Sequence, residues 1–283
     1  MRLATIGIDG ITRAVKLVER DGAAVFVELG HPDLRTLLAT PGALAAAEKA
    51  DGPSHDAATA VLCPPVNPDK IVCVTHNYGA HIKRLGISMP QRPRLSTKFA
   101  SSLIGPHAPI GIPADAHKLD AAVELAVVIG TTIRHPDQAQ AEAAIAGFTV
   151  MNDVTDRDVE FEAEEWGTGN IWDGSTPLGP YLVTPDELPG GVRPSLPLTT
   201  TIDGRTVQSG TTADLHFDPV HVVSYAARFM ELNPGDVVAT GTPSSPSHDH
   251  GTDVHLHPGQ QVVAAIEGLG ACRNQVVAVT TAS

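Results

Sequence analysis

The chain has 283 residues, 42% of them hydrophobic, enough to bury a sizeable core in one large β-rich domain or two smaller ones. Its formal charge of −13 argues against binding a nucleic-acid backbone or an anionic membrane surface. Three scattered cysteines, Cys63, Cys73 and Cys272, form no C-x-x-C pair, and no run reaches the length of a membrane helix, so a cytoplasmic protein is expected.

Residues 1–65 read as a small N-terminal β module. The segments RLATIGI, RAVKLVE and AAVFVEL alternate around Asp9-Gly10 and Asp21-Gly22, two dipeptides suited to tight hairpins. Helical pieces follow at Asp33-Leu34-Arg35 and in GALAAAEKA. Pro64, Pro65 and Pro68 make a stiff connector, which places the second domain at 66–283.

Ile71 to Val74 reads as a buried strand, and His81 and Arg84 then fall three apart on a short helix, on one face. Lys98 follows a Pro-rich loop. The centre of the chain is KLDAAVELAVVIG, a helix over 137–146, and GFTVMNDVTDRD. Both strand-like runs carry acids: Asp120 and Glu124 on the first, and Asp153, Asp156 and Asp158 around Arg157 on the second. A buried carboxylate is costly unless a cation, a metal or donors satisfy it, so these strands are expected to wall an active site. If Glu124 and Asp153 face each other without a metal, one of them should hold its proton near neutral pH and serve as a general acid.

Beyond this, 166–180 reads as a Gly/Pro-rich loop containing Trp166, Asn170 and Trp172, and 218–231 as a helix with Val222, Tyr225, Ala226 and Phe229 on one stripe. The final strands are QQVVAAIEGLG and RNQVVAVT. Histidines 248, 250, 255 and 257 suggest a transition-metal cluster, against the commoner outcome of a solvated loop; on a strand, His255 and His257 would share a face. Many short strands with few helices give an α+β, mainly β chain of rolled or barrel-like architecture.

Six motifs occur in order: NYGAH (77–81), VELAVVIG (123–130), NDVTDRD (152–158), PLGP (177–180), PGDVVATGTP (234–243) and EGLG (267–270). The set resembles the fumarylacetoacetate hydrolase family over roughly Pro68 to Val279. The resemblance implies a mixed β-roll, a homodimer, and a Mg²⁺- or Mn²⁺-dependent site that cleaves or decarboxylates small 1,3-diketo and 2-oxo acids, some relatives hydrating or isomerising instead.

Several positions depart from the family's pattern. Its metal is held by two Glu of E-x-E-L and the Asp of NDV; here the first is Ala122, leaving Glu124 and Asp153. Metal binding is then weakened rather than excluded, because Mg²⁺ accepts one or two carboxylates with water and substrate oxygens. Asp120 cannot replace the lost ligand without a bulge. The family's water-activating His–Glu pair becomes His81 with Arg84. Its G-K lysine becomes Asn170, and its Gln after RD becomes Glu160.

Water attack needs the lost pair, whereas enolate stabilisation needs only positioned donors and cations. The expected function is therefore enolate chemistry on a small oxo acid or 1,3-dicarbonyl, as a lyase, decarboxylase, isomerase or cyclase. The alternatives are a metal-dependent acylpyruvate-type hydrolase and a non-catalytic relative. His81 is expected as acid/base, with Arg84, Lys98 and Arg157 as electrostatic partners. Thr240-Gly241-Thr242 is expected to hold the substrate's carboxylate, and His76, Tyr78 and Asn170 to bind substrate.

Overall fold

A computed structural model describes residues 1–113, 116, 118–162, 166–246 and 254–279. The main sheet has twelve strands. Its central ladder runs Arg2–Ile8, Thr176–Val183, Ile145–Asn152, Val123–Ile129, Val237–Ala239, Ile71–Thr75 and Arg94–Lys98. A five-stranded sheet runs Arg205–Thr211, Pro197–Ile202, Gln261–Ile266, Gly270–Ala278 and Ile110–Ile112. The chain is mainly β with short helices. None of the helices among the described residues is long and apolar enough to cross a membrane.

Val123–Ile129 is the middle of the core. All seven residues are buried, because both faces are covered, and the run is accordingly near-continuously apolar rather than alternating. Val123, Leu125, Val127 and Ile129 enter one apolar cluster with Val150, Val222 and Ile266. Ala126 and Val128 enter a second with Leu3, Cys73 and Ala239.

Residues 1–65 continue the same sheet, since Leu3 pairs with Leu182, and Leu3, Ala14 and Leu34 share the cluster of Val128. The Asp-Gly turns behave as the sequence suggests: both residues of each take positive φ, 48° and 79° at Asp9-Gly10.

Three elements differ from expectation. The helix after Asp218 ends at Ala226, where Arg228 and Phe229 switch to i→i−3 bonding and Arg134 donates to the carbonyl of Ala227. Phe229 lies beyond that end and is 59% exposed, so it leaves the apolar stripe. Thr176–Pro180, expected within a loop, begins the strand Thr176–Val183. Its two prolines cannot donate to the ladder, which disguises the strand and leaves its pairing with Ile145–Asn152 irregular. His255 and His257 are not on a strand; one is buried and the other exposed. His248 and His250 lie outside the described residues, and no group of three potential metal ligands occurs among the described residues.

Candidate active site

Strand parity builds the site. Glu124 sits opposite Met151, and the Asp153 N–H donates to the Ala122 carbonyl at 2.8 Å. Side chains two apart share a face, so Ala122, Glu124 and Asp153 all emerge on one side, where the sheet opens. They border a cavity of about 540 Å³ with Cys73, His76, His81, Arg157, Asn170 and Thr242. Asn152 secures the convergence by accepting from the Ala122 N–H at 3.0 Å.

The charges inside are unequal. Lys98 has a fully buried side chain, with Nζ 2.9 Å from Asp153 Oδ1. Its ammonium also donates to the carbonyls of Val154 (3.1 Å) and Asn170 (2.6 Å), and the Asp153 contact is an ion pair without an aligned hydrogen bond. One cation therefore faces two carboxylates. Burial, then the neighbouring Asp153 charge, push the Glu124 carboxyl well above its ordinary range; the Gly241 N–H, at 2.9 Å from Oε2, and Lys98 only partly offset this. The shift favours the neutral form of the Glu124 carboxyl. Burial and the same two carboxylates also raise the Cys73 thiol, which stays protonated.

Arg157 is a cavity wall but not a spare charge. Its Nε and Nη2 donate to Asp120 Oδ2 at 3.1 and 3.0 Å, and Nη1 donates to Glu160 at 2.6 Å. Burial opposes its charge, yet these two acids hold its pKa above the ordinary value. Asp120 accepts from Ser245 Oγ as well (2.7 Å), so it belongs to this structural network rather than to the missing ligand position.

His81 is 8% exposed and borders the cavity, its ring stacked at 6.3 Å from that of His76. Arg84 points away: its side chain is exposed and donates to the Pro243 carbonyl at 3.1 Å. Positions three apart on a helix differ by about 60° around the axis, enough on this six-residue helix to turn one inward and the other out. Tyr78, fully buried, packs in the core cluster and does not border the cavity. Asn170 does border it. Its Oδ1 accepts from Thr155 Oγ1 at 3.0 Å, leaving the amide nitrogen for the cavity.

The 240–242 loop is used differently from expectation. Thr240 Oγ1 donates to Leu125 O and Thr242 Oγ1 to Val123 O, each at 3.0 Å, stitching the loop to the central strand. The carboxyl its glycine N–H holds is the chain's own Glu124. Gly241 has φ 91°, and a Cβ there would lie 2.7 Å from the Val74 carbonyl, so only glycine fits. Trp172 packs against an apolar cluster and does not border the cavity.

Sequence reasoning passed over two buried amides. Gln208 accepts from the Val123 N–H and donates to Thr242 Oγ1 and the Ser244 carbonyl. Asn77 donates to the carbonyls of Thr240 and Phe217. Asn77 was visible within NYGAH; Gln208 carried no local signal.

The residues were also tested for a divalent metal. Asp153 Oδ1 is buried with no aligned hydrogen bond despite its ion contact to Lys98, and Glu124 brings a carboxyl in surplus of the local positive charge. Two hard oxygen donors beside open volume fit Mg²⁺ or Mn²⁺ with water and substrate completing the shell; the Ala122 methyl removes the third protein ligand.

A mixed sheet that opens onto paired carboxylates, a histidine and an amide is the plan of an enzyme handling a small polar molecule. The family model for the fumarylacetoacetate hydrolase C-terminal domain matches residues 70–277, and the chain belongs to that family. It is 38% identical over 218 residues to a human mitochondrial oxaloacetate tautomerase, covering 76% of this chain and 69% of that one. Among solved structures it is similar to a fumarylacetoacetate hydrolase from psychrophilic Exiguobacterium antarcticum (TM-score 0.85, 32% identity, 99% and 100% of the two chains). It is also similar to a 5-carboxymethyl-2-hydroxymuconate delta-isomerase from Mycobacterium smegmatis (TM-score 0.80, 30% identity, 99% and 100%).

Proposed function

We propose that this protein interconverts keto and enol forms of a small oxo acid or 1,3-dicarbonyl, moving a proton without cleaving a carbon–carbon bond. The observation that carries the reading is the charge imbalance at Glu124 and Asp153. One buried ammonium opposes two carboxyls, so Glu124 holds a proton at the edge of the cavity that His81 also borders. A tautomerase needs such an acid and base and nothing to activate water. Position 84, where the family carries the glutamate that orients the base, carries instead an arginine turned out to Pro243. The tautomerase and isomerase names among the relatives support the same reaction type.

In this mechanism the substrate's oxo oxygen lies against Glu124 and the Asn170 amide. The His81 imidazole takes the proton from the carbon between the carbonyls. The released electron pair moves to the oxo oxygen, which receives the Glu124 proton; solvent then takes the proton from His81 and returns one to Glu124, and the reverse direction retraces these steps. Lys98 pairs with Asp153 and fixes it, and Arg157 ties the start of the helix Arg157–Glu162 to Asp120. With its proton released, Glu124 would instead join Asp153 in holding a Mg²⁺ or Mn²⁺ ion, which would supply Lewis-acid polarisation of the oxo group in place of the Glu124 proton.

The test is the decay of the enol absorbance of oxaloacetate and of an acylpyruvate, each with EDTA and with added Mg²⁺. The proposal expects acceleration over buffer that falls roughly 10²–10⁴-fold in His81→Ala. An unaltered rate in that variant would remove His81 from the mechanism, and no acceleration of any enol would remove the reaction.

A further inference from the structure

We infer that Gln208 is a positioning residue for proton transfer: from the five-stranded sheet it brackets the Val123 backbone and the Thr242 side chain, and so fixes the contact between Glu124 and the Gly241 N–H. This rests on the reading of Glu124 as the proton donor and deepens it by naming what holds that donor in place.

Glu124 lies where the central strand loses a neighbour. Val123–Ile129 pairs with Val237–Ala239 only from Ala126 to Val128. Thr240 still reaches the Leu125 carbonyl through its N–H and its Oγ1, both at 3.0 Å, and the chain then turns away at Gly241. The ladder stops short of Val123, whose buried N–H and carbonyl need other partners.

Gln208 and Thr242 supply them. On the strand Arg205–Thr211, Gln208 faces Thr200 and Thr206 faces Thr201, so Val207 is an inserted residue, a β-bulge. The bulge breaks the alternation and leaves Val207 and Gln208 buried in succession. Gln208 Oε1 accepts from the Val123 N–H at 2.9 Å and from Thr200 Oγ1 at 2.6 Å. Its Nε2 donates to Thr242 Oγ1 and to the Ser244 carbonyl, each at 2.7 Å. Both lone pairs and both protons of the amide are thus in use, at 2% exposure. Thr242 Oγ1 in turn donates to the Val123 carbonyl at 3.0 Å, closing a ring of Val123, Gln208 and Thr242.

The ring adjoins the proton donor. Val123 precedes Glu124, Thr242 follows Gly241, and Glu124 Oε2 accepts from the Gly241 N–H at 2.9 Å. That contact is held on one side by Thr240 and Leu125, and on the other by Gln208. Gln208 does not border the cavity, whereas Thr242 and Glu124 do, so its influence passes through them. A misplacement of about 1 Å at a reacting group costs on the order of 10²-fold in rate.

Gln208→Met, Thr242→Val, the double variant and Thr200→Val are compared by enol interconversion in EDTA and by amide hydrogen exchange of segments 122–125 and 240–242. Thr200→Val is the control, because it removes one buried hydrogen bond from the same amide and leaves the three that form and flank the ring. In Gln208→Met, kcat should fall roughly 10–100-fold with KM within about threefold of wild type. Both segments should also exchange roughly tenfold or more faster relative to the rest of the sheet. Thr242→Val should show the same exchange, and the double variant little more than the worse single, since the ring is already open. Thr200→Val should lose stability yet keep kcat within about twofold, with no exchange change particular to these segments. Wild-type kcat in folded Gln208→Met, exchange that only follows global stability, independent effects in the double variant, or Thr200→Val matching Gln208→Met overturns the inference. Should Gln208→Met not fold, exchange in Thr242→Val reads the same ring. Exchange does not require turnover, so local loss of protection in a protein whose wild type interconverts no enol would sink the tautomerase reading alone. Interconversion that ignores Gln208→Met would sink the positioning role alone.

Discussion

Replacing Lys98 by methionine removes the one buried cation beside Asp153 while keeping the volume of the side chain. The ammonium contacts Asp153 at 2.9 Å and two buried carbonyls, so the change strands a carboxylate and two acceptors together. Breaking a buried pair from one side costs about 3–5 kcal/mol. Two effects pull this towards the lower end: the Asp153 side chain is 12% exposed at the cavity, where water can reach it, and a stranded carboxyl can take up a proton. We therefore expect a loss of about 3 kcal/mol, or on the order of 6–12 °C in Tm. Urea unfolding at neutral pH measures it, with m unchanged. Asp153→Asn in the Lys98→Met background should recover more than half of the loss, because no buried charge then remains unpaired. A loss below about 1 kcal/mol for the single variant would refute the reasoning that Lys98 neutralises this site.

Glu124→Gln should flatten the pH dependence of stability. A carboxyl whose folded pKa is raised favours the folded state when protonated, so its contribution is full below the ordinary glutamate value of about 4.3 and is lost as pH rises towards the raised folded value. With EDTA present, wild-type Tm should fall across that window relative to the variant; parallel curves from about pH 4 upward, near the free glutamate value, would contradict the assignment. Gly241→Ala should cost about 2 kcal/mol or more, since its φ of 91° and the Val74 carbonyl both oppose a Cβ; a urea midpoint within error of wild type would mean the loop can move aside. Ala122→Glu should restore a third carboxylate and lower by roughly tenfold or more the Mg²⁺ concentration that half-saturates the thermal shift. An unchanged titration would show that Glu124 and Asp153 do not form the metal's protein ligands.

Much of this site was legible because strand parity is local. VELAVVI is apolar at every position but one, so its burial and the cost of Glu124 were readable together. The register of Asp153 in NDV gave it the same face, and the pairing supplied the surplus carboxyl. What sequence could not supply was direction in short elements and competition for donors. His81 and Arg84 stand close in sequence on one helix, yet part by enough of a turn to face cavity and solvent. The hydroxyls of Thr240 and Thr242 suited a substrate anion, but the carbonyls of Leu125 and Val123 claim them first, a tertiary contact without local trace. Tyr78 carried a polar handle that sequence placed at the substrate, while its ring fills the core. Arg94, the first residue of a short edge strand after Pro93, lay unmarked, and only the pairing with Thr75 places it at the cavity.

The most direct test follows the proton. An acylpyruvate is incubated with the enzyme in D₂O and observed by ¹H NMR, which reports loss of the signal from the carbon between the carbonyls and any cleavage fragments in one spectrum. The account predicts deuterium incorporation faster than in buffer, strongly reduced in His81→Ala, with the carbon skeleton intact. Pyruvate and the partner acid accumulating as fast as deuterium enters would contradict it and place water attack at this site.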